Sequence, residues 1–462
     1  MTSLSKGGNG APAAYDTDAE AMLRKQASSP ISPTTPHPFA PKRRRQPGGG
    51  YLPLHKRRRN SLLGVPLNLP RSAQGRRRAA LLLSLILLII WVLYYVFTTY
   101  EFQFEMSVYS RKWVSAEFND ILPLKGCFDD PSPTYNVTRE TSHMLSPGIS
   151  LRRGMTCYDF ASTVQPPSEG ENLLYHTYWR TDLRDFGVRQ AATIEAFLAS
   201  QPHASSRLIL WSNGAESLRQ SPHVRPFLDA WGHVFEVRQA DLTELAVDTD
   251  LDGLLGSVYD ARGWVDGDAL RLLLLYHYGG IWMDMDMLLT RDLHTLAETE
   301  FVGQWDCYDK PYFQMNGAVM HFRKHSPYLC EAFHIMATSP FPKPASFGWG
   351  SHLYAKLHRT LIAGGVRPFA VLPWCFTDPR NCRADIRFPD PFKADPSMWG
   401  GREWEGESPN GREILESKMR NVFAIHLHNQ WDKDLAEGGY IERLLVKCRE
   451  RIEGIVRQAN RD

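Results

Sequence analysis

Apolar and polar positions follow three regimes along this chain. The first 78 residues mix Pro, Gly, Ser and basic residues, include 10 Pro and hold few core-forming side chains. A segment of that kind buries too little apolar surface to offset its conformational entropy, so it reads as a disordered tail. Residues 79–98, AALLLSLILLIIWVLYYVFT, then run without a charge, long enough to cross a bilayer as one helix. Residues 99–170 show no sustained period, and PSPTYNVT and QPPSEG read as loop. They form a stem ahead of a domain spanning 171–462.

From Leu173 the pattern turns regular. LLYHTYW, RLILW (Arg207 to Trp211), HVFEVR (His233 to Arg238), FVGQWD and NGAVMHF read as strands, and the stretches around Arg189 to Ser200, 268–278 and Ser326 to Ala337 as helices. Strands alternating with helices predict an α/β domain with a largely parallel sheet. In the helix at 268–278, Leu270 and Leu272 to Leu275 leave hardly any polar face, so it is expected to be buried. Asp266 and Asp268 suit its N-terminal dipole end, and Gly279-Gly280 its C-terminal stop. After Ile281 the period becomes two. A strand continuing there would place Asp284 and Asp286 on one face, roughly 7 Å apart along the backbone.

Charge is divided sharply. The first 78 residues carry 15 Lys/Arg against 3 Asp/Glu, which leaves 38 basic and 48 acidic residues for the rest. Arg76, Arg77 and Arg78 precede the apolar run, and Glu101 and Glu105 follow it. The positive-inside rule then puts the N-terminus in the cytosol and the remainder in the lumen, as a single-pass type II protein. The basic runs Lys42 to Arg45 and Lys56 to Arg59 resemble nuclear-import or nucleic-acid patches. Next to a membrane span they suit anionic lipid or sorting machinery instead, so nucleic acid is not an expected partner. All seven cysteines fall on the lumenal side, where disulfides form. Their odd number leaves at least one thiol outside an intrachain pair, and Cys375 with Cys382 could close a short loop. Asn136-Val-Thr138 is the sole glycosylation sequon, and it too lies on the lumenal side.

The chemistry is concentrated in Asp284-Met285-Asp286. Two carboxylates in an apolar run cost several kcal/mol unless paired or metal-bound. A hard divalent cation that also grips phosphate relieves that cost. Asp268 and Arg271, three apart, share a helix face and make either a helix salt bridge or a ligand contact.

Asp268-Ala-Leu-Arg271 followed by Tyr278-Gly-Gly-Ile-Trp-Met-Asp284-Met-Asp286 resembles the sugar-binding D-x-D region of glycosyltransferase family 32. That family includes fungal initiating α-1,6-mannosyltransferases and α-1,4-galactosyl- and N-acetylglucosaminyltransferases. The resemblance implies a GT-A fold in a Golgi membrane and a retaining transfer from GDP-mannose or a UDP-sugar to a glycan or glycolipid. It implies Mn²⁺ as the metal, with Mg²⁺ also suited. Asp286 would be the main ligand, with Asp284 on the donor ribose or sharing the ion through water. Asp268 and Arg271 would grip donor hydroxyls. Tyr278 could touch the donor or sit in the core. His176-Thr-Tyr-Trp179 resembles an early strand segment of the family, so Trp179 either stacks on the donor base or packs the core. Asn316-Gly317 matches a segment lining the donor sugar, where Asn-Gly is otherwise a common turn. Ala424-Ile-His426-Leu-His428-Asn429-Gln430-Trp431 resembles the terminal family motif, with His428 in place of its aromatic and Gln430 in place of its serine. His426 would then be a metal ligand or a diphosphate contact, and Trp431 would close over the donor.

Two other classes compete. A glycoside hydrolase also uses paired carboxylates but usually needs no metal. A silent membrane lectin or scaffold would have no use for Asp268, Arg271, Asp284 and Asp286 together.

Overall fold

The computed structural model describes residues 72–99, 108, 110–112, 114, 121–135, 156–164, 172–256, 260–308, 314–344, 346–382, 387–395, 411–459 and 461. Residues 1–71 of the basic tail and the Asn136 sequon lie outside the described residues, while 73–78, read as the end of that tail, are helical. Two compact units are present, 1–116 and 117–462. In the first, α1 (Ala73–Thr99) is long and apolar enough to cross a membrane, and the expected span 79–98 falls inside it. Leu81, Leu88 and Trp91 are exposed on its surface.

The second unit is built on a seven-stranded sheet. Its strands are β1 (Leu173–Trp179), β2 (Ser206–Ser212), β3 (Phe235–Gln239), β4 (Gly280–Met283), β6 (Phe301–Gln304), β7 (Met315–Phe322) and β8 (Ala370–Leu372), in the order β3-β2-β1-β4-β7-β6-β8. Every neighbouring pair is parallel except the two that involve β7. A second ribbon pairs β5 (Met287–Leu289) with β9 (Ala424–His426), antiparallel. The expected α/β architecture, a mostly parallel sheet flanked by helices, is present.

Alternation along the strands feeds two cores. Ile281 and Met283 point to one face, beneath α3 (Val188–Ser200) and α7 (Tyr440–Ala459). Trp282 points to the other, beneath α4 (Val265–Tyr278), α5 (Pro327–Thr338) and α6 (Ser351–Ala363). Leu270 and Leu272 to Leu275 of α4 are all buried, as their pattern predicted. Gly279 ends α4 at φ 69° and Gly280 follows at φ 104°. A Cβ on Gly280 would stand 2.2 Å from the Leu174 carbonyl oxygen, so this reversal requires glycine.

One expectation fails here. The β4 strand does not continue through the carboxylates: it stops at Met283, and Asp284-Met285-Asp286 forms a turn closed by the Met287 N–H on the Asp284 carbonyl at 3.0 Å. The last rung is the Asp284 N–H on Ala318 O at 2.8 Å. Met285 is then held by tertiary bonds, its carbonyl accepting from the Thr193 hydroxyl at 2.6 Å. The chain leaves the large sheet and continues as β5. The carboxylates are arranged by a turn, not by strand alternation.

Three disulfides join Cys127–Cys330, Cys157–Cys375 and Cys307–Cys382, and Cys448 is a buried free thiol. Cys375 and Cys382 thus take different partners. Parts of the segment read as stem pack on the domain. The Glu331 carboxylate of α5 accepts the N–H groups of Lys125, Gly126 and Cys127 at 2.8–3.0 Å, and α2 (Cys157–Thr163) is tied by its disulfide to the turn at Trp374–Thr377.

Candidate active site

The D-x-D turn lies at the C-terminal end of β4, beside parallel β1, where open α/β sheets bind ligands. Asp284 is partly exposed. It accepts the Trp282 indole N–H at 2.8 Å and faces Arg271 Nη2 at 3.4 Å. Asp286 is 1 % exposed. Its Oδ2 accepts the Asn429 N–H, and its backbone carbonyl accepts from Leu427 N at 3.0 Å. The β5–β9 ribbon sets Met287 opposite His426, so the residue after the turn and the histidine of the terminal motif are locked together.

His426 is buried between two carboxylates. Its Nε2 lies 3.3 Å from Asp286 Oδ1, and its Nδ1 lies 3.4 Å from Asp378 Oδ2. The other Asp378 oxygen pairs with His428 Nε2 at 2.8 Å. The two imidazoles stack with centroids 4.2 Å apart. His428 and Asn429 adopt φ 58° and 54°, a conformation rarely held by two successive non-glycine residues. That bend aims the Asn429 N–H at Asp286.

Charge in this knot is mutually supported. Burial alone would lower His426, but Asp286 and Asp378 raise it to about 10. Burial alone would raise Asp378, yet His428 and His426 hold it well below the usual carboxylate range. Asp286 is likewise lowered despite burial, by His426 and the Asn429 N–H.

Donor atoms of Asp284, Asp286 and His426 lie within 4.8 Å of one another. Asp286 Oδ1 and His426 Nε2 are buried, face each other at 3.3 Å and have no other partner among the described residues. Two carboxylates and an imidazole converging in this way suit Mn²⁺ or Mg²⁺. The donor set fits a divalent cation.

A second group adjoins the turn. Asp268 and Arg271 pair at 3.2 Å, and Arg271 bridges on to Asp284 while lying 5.3 Å over the Trp282 ring. Burial raises Asp268 to about 7, Arg271 opposing and Asp284 adding to the rise. Asn316 and Gly317 belong to β7 and not to a turn. A Cβ on Gly317 would stand 2.3 Å from Arg271 Nη1 and 2.6 Å from the Tyr354 hydroxyl. Glycine here is what lets Arg271 reach the site. Asn316 Oδ1 accepts from Ala318 N at 2.9 Å, while its buried Nδ2 has no partner among the described residues.

Trp179 and Trp431 meet edge to face at 5.1 Å. The Trp179 indole N–H donates to Arg184 O at 2.9 Å, and that of Trp431 to Asn429 Oδ1 at 3.2 Å. Tyr278 is not brought to this cluster. It ends α4, about 15 Å along the axis from Asp268 by helix rise, against His176 and Trp211.

Sequence reasoning missed Asp378, Arg189, Arg380 and Tyr354. The His426-x-His428 pair was the one signal that a shared partner such as Asp378 existed.

Residues 188–302, about a quarter of the chain, match the family model "Glycosyltransferase sugar-binding region containing DXD motif". An uncharacterized protein of Arabidopsis thaliana is 39% identical over 64 residues, 14% of this chain and 9% of that protein. The chain therefore spans under a tenth of that relative's length. Among solved structures, PaToxG glycosyltransferase aligns at TM-score 0.33 and 12% identity, covering 45% of this chain and 74% of its own. The galactosyltransferase LgtC aligns at 0.29 and 10%, covering 61% and 96%. Mouse xyloside xylosyltransferase 1 aligns at 0.30 and 10%, covering 57% and 99%.

Proposed function

We propose that this chain, which carries the sugar-binding region of the DXD-containing glycosyltransferases, moves a hexose from a nucleotide sugar to a glycan or glycolipid with retention of configuration. The observation that carries this reading is the convergence of Asp284, Asp286 and His426, with Asp286 Oδ1 and His426 Nε2 buried and facing each other, at the C-terminal edge of the sheet.

A divalent cation held by these three residues would neutralise the charge that builds on the departing diphosphate. Mn²⁺ is the preferred ion. The chain's own residues do the rest. Asp268 and Arg271 bind donor hydroxyls and set the sugar against the D-x-D turn. Gly317 keeps that space open, and Asn316 offers its unpartnered Nδ2 to the same sugar. Trp431, steadied by Trp179, shields the diphosphate side from water. Asp378 holds both imidazoles. With Asp284 and Asp286 given to the metal and Asp268 to the donor sugar, substitution on the front face is favoured, with the leaving phosphate receiving the acceptor's proton.

The apolar run of α1, the arginines in its first turns and the disulfides after it support a single-pass type II anchor with residues 171–462 as the catalytic domain in the Golgi lumen. The test is a screen of nucleotide sugars against the full-length protein in detergent. Mn²⁺-dependent release of one nucleoside diphosphate is expected. Failure of every GDP- and UDP-sugar would defeat the proposal.

A further inference from the structure

Three cations beside the cluster have no role in the reading above. Arg189 stands at the start of α3, Arg380 follows the turn at Trp374–Thr377, and Lys433 follows the His428-Asn429 bend. All three face one aromatic ring, that of Phe392, at 5.2, 5.6 and 5.6 Å. Arg189 also lies 5.8 Å over Trp431.

Each arginine is pinned at one nitrogen. Arg380 Nη1 donates to the His426 carbonyl at 2.9 Å, and Arg189 Nη1 donates to the Lys433 carbonyl. Their remaining groups are another matter: Arg189 Nε and Nη2 and Arg380 Nε are buried with no hydrogen-bond partner among the described residues. Unpaired charged donors away from water are costly. The carboxylates that act on Arg189 are Asp286 and Asp434. Asp286 already serves Asn429 and His426, and Asp434 is exposed. The site is thus polarised. Acceptors that want a cation converge on one side, and guanidinium donors that want an anion lie on the other. The His426 backbone joins them. A guanidinium fork matches phosphate oxygens.

We propose that Arg189 and Arg380 bind a phosphate oxygen of the donor's diphosphate, giving the leaving group a hold that does not depend on the metal. The proposal rests on the glycosyltransferase reading and adds a phosphate contact to it.

Isothermal titration of the full-length protein in detergent tests it, with UDP, GDP and their parent nucleosides, in Mn²⁺ and in excess chelator. In chelator the diphosphate should still bind at least about tenfold more tightly than its nucleoside. Arg189→Gln with Arg380→Gln should abolish that difference while leaving nucleoside affinity unchanged. Arg189→Lys with Arg380→Lys should keep part of it. A wild-type protein that binds diphosphate no better than nucleoside in chelator overturns the proposal, whether or not the variants fold. So does a double Gln variant that keeps the difference. If neither UDP nor GDP binds even with Mn²⁺, the glycosyltransferase reading fails and this contact fails with it.

Discussion

Replacing Asp378 by Asn isolates the residue that organises the two histidines. Its carboxylate accepts from His426 Nδ1 and from His428 Nε2, at 3.4 and 2.8 Å. An amide has one oxygen and one NH₂, so it accepts from one imidazole and offers a donor to the other. If His428 keeps the oxygen, His426 Nδ1 must become an acceptor and its proton moves to Nε2, the atom that faces Asp286. The metal-facing nitrogen is then blocked. If His426 keeps the oxygen, His428 Nε2 must become the acceptor and its proton moves to Nδ1. Loss of a carboxylate behind a metal-binding histidine typically weakens the metal about 10- to 100-fold, or ~1.4–2.8 kcal/mol. Mn²⁺ titration followed by electron paramagnetic resonance should therefore show Asp378→Asn binding at least about tenfold more weakly than wild type. Wild-type Mn²⁺ affinity in a folded Asp378→Asn protein would refute the argument that Asp378 sets the tautomer.

Gly317→Ala should cost about 1–3 kcal/mol of stability by overpacking, since its Cβ would collide with Arg271 Nη1 and the Tyr354 hydroxyl. Turnover should fall while nucleoside diphosphate affinity survives; unchanged turnover would mean that Arg271 does not touch the donor. Without an ion, His426 is protonated at neutral pH, its value raised to about 10 by Asp286 and Asp378 against the effect of burial. A cation must displace that proton, so Mn²⁺ affinity should climb with pH by up to about tenfold per unit across neutrality. Titration in buffers of different ionisation enthalpy should show close to one proton released per ion, and pH-independent binding would contradict the assignment of His426.

The parts of the fold set by local pattern were legible in the sequence. The Leu270–Leu275 run gave a buried helix, Gly279-Gly280 gave its stop, and LLYHTYW gave β1 with the boundaries observed. The D-x-D geometry was not legible, because the alternation of Ile281, Met283, Met285 and Met287 continues past the point where the strand ends. All four are buried, but Met285 is held by bonds to Thr193 and Thr177, which are contacts distant in sequence. Asp378 and Arg380 were silent for the same reason. They reach the site because Cys157–Cys375 and Cys307–Cys382 fix the segment that carries them. Nothing in their immediate sequence marks them.

The central claim is that Asp286 holds a divalent cation on which sugar transfer depends. Asp286→Asn keeps the shape of a side chain that is 1 % exposed and removes its charge. The decisive measurement is nucleotide-sugar turnover by wild type and by this variant, each across a Mn²⁺ titration and in chelator. Wild-type turnover should vanish in chelator and return with Mn²⁺, and the folded variant should be slower by at least about a hundredfold. Wild-type turnover undiminished by chelator, or an Asp286→Asn variant of normal rate, would contradict the claim.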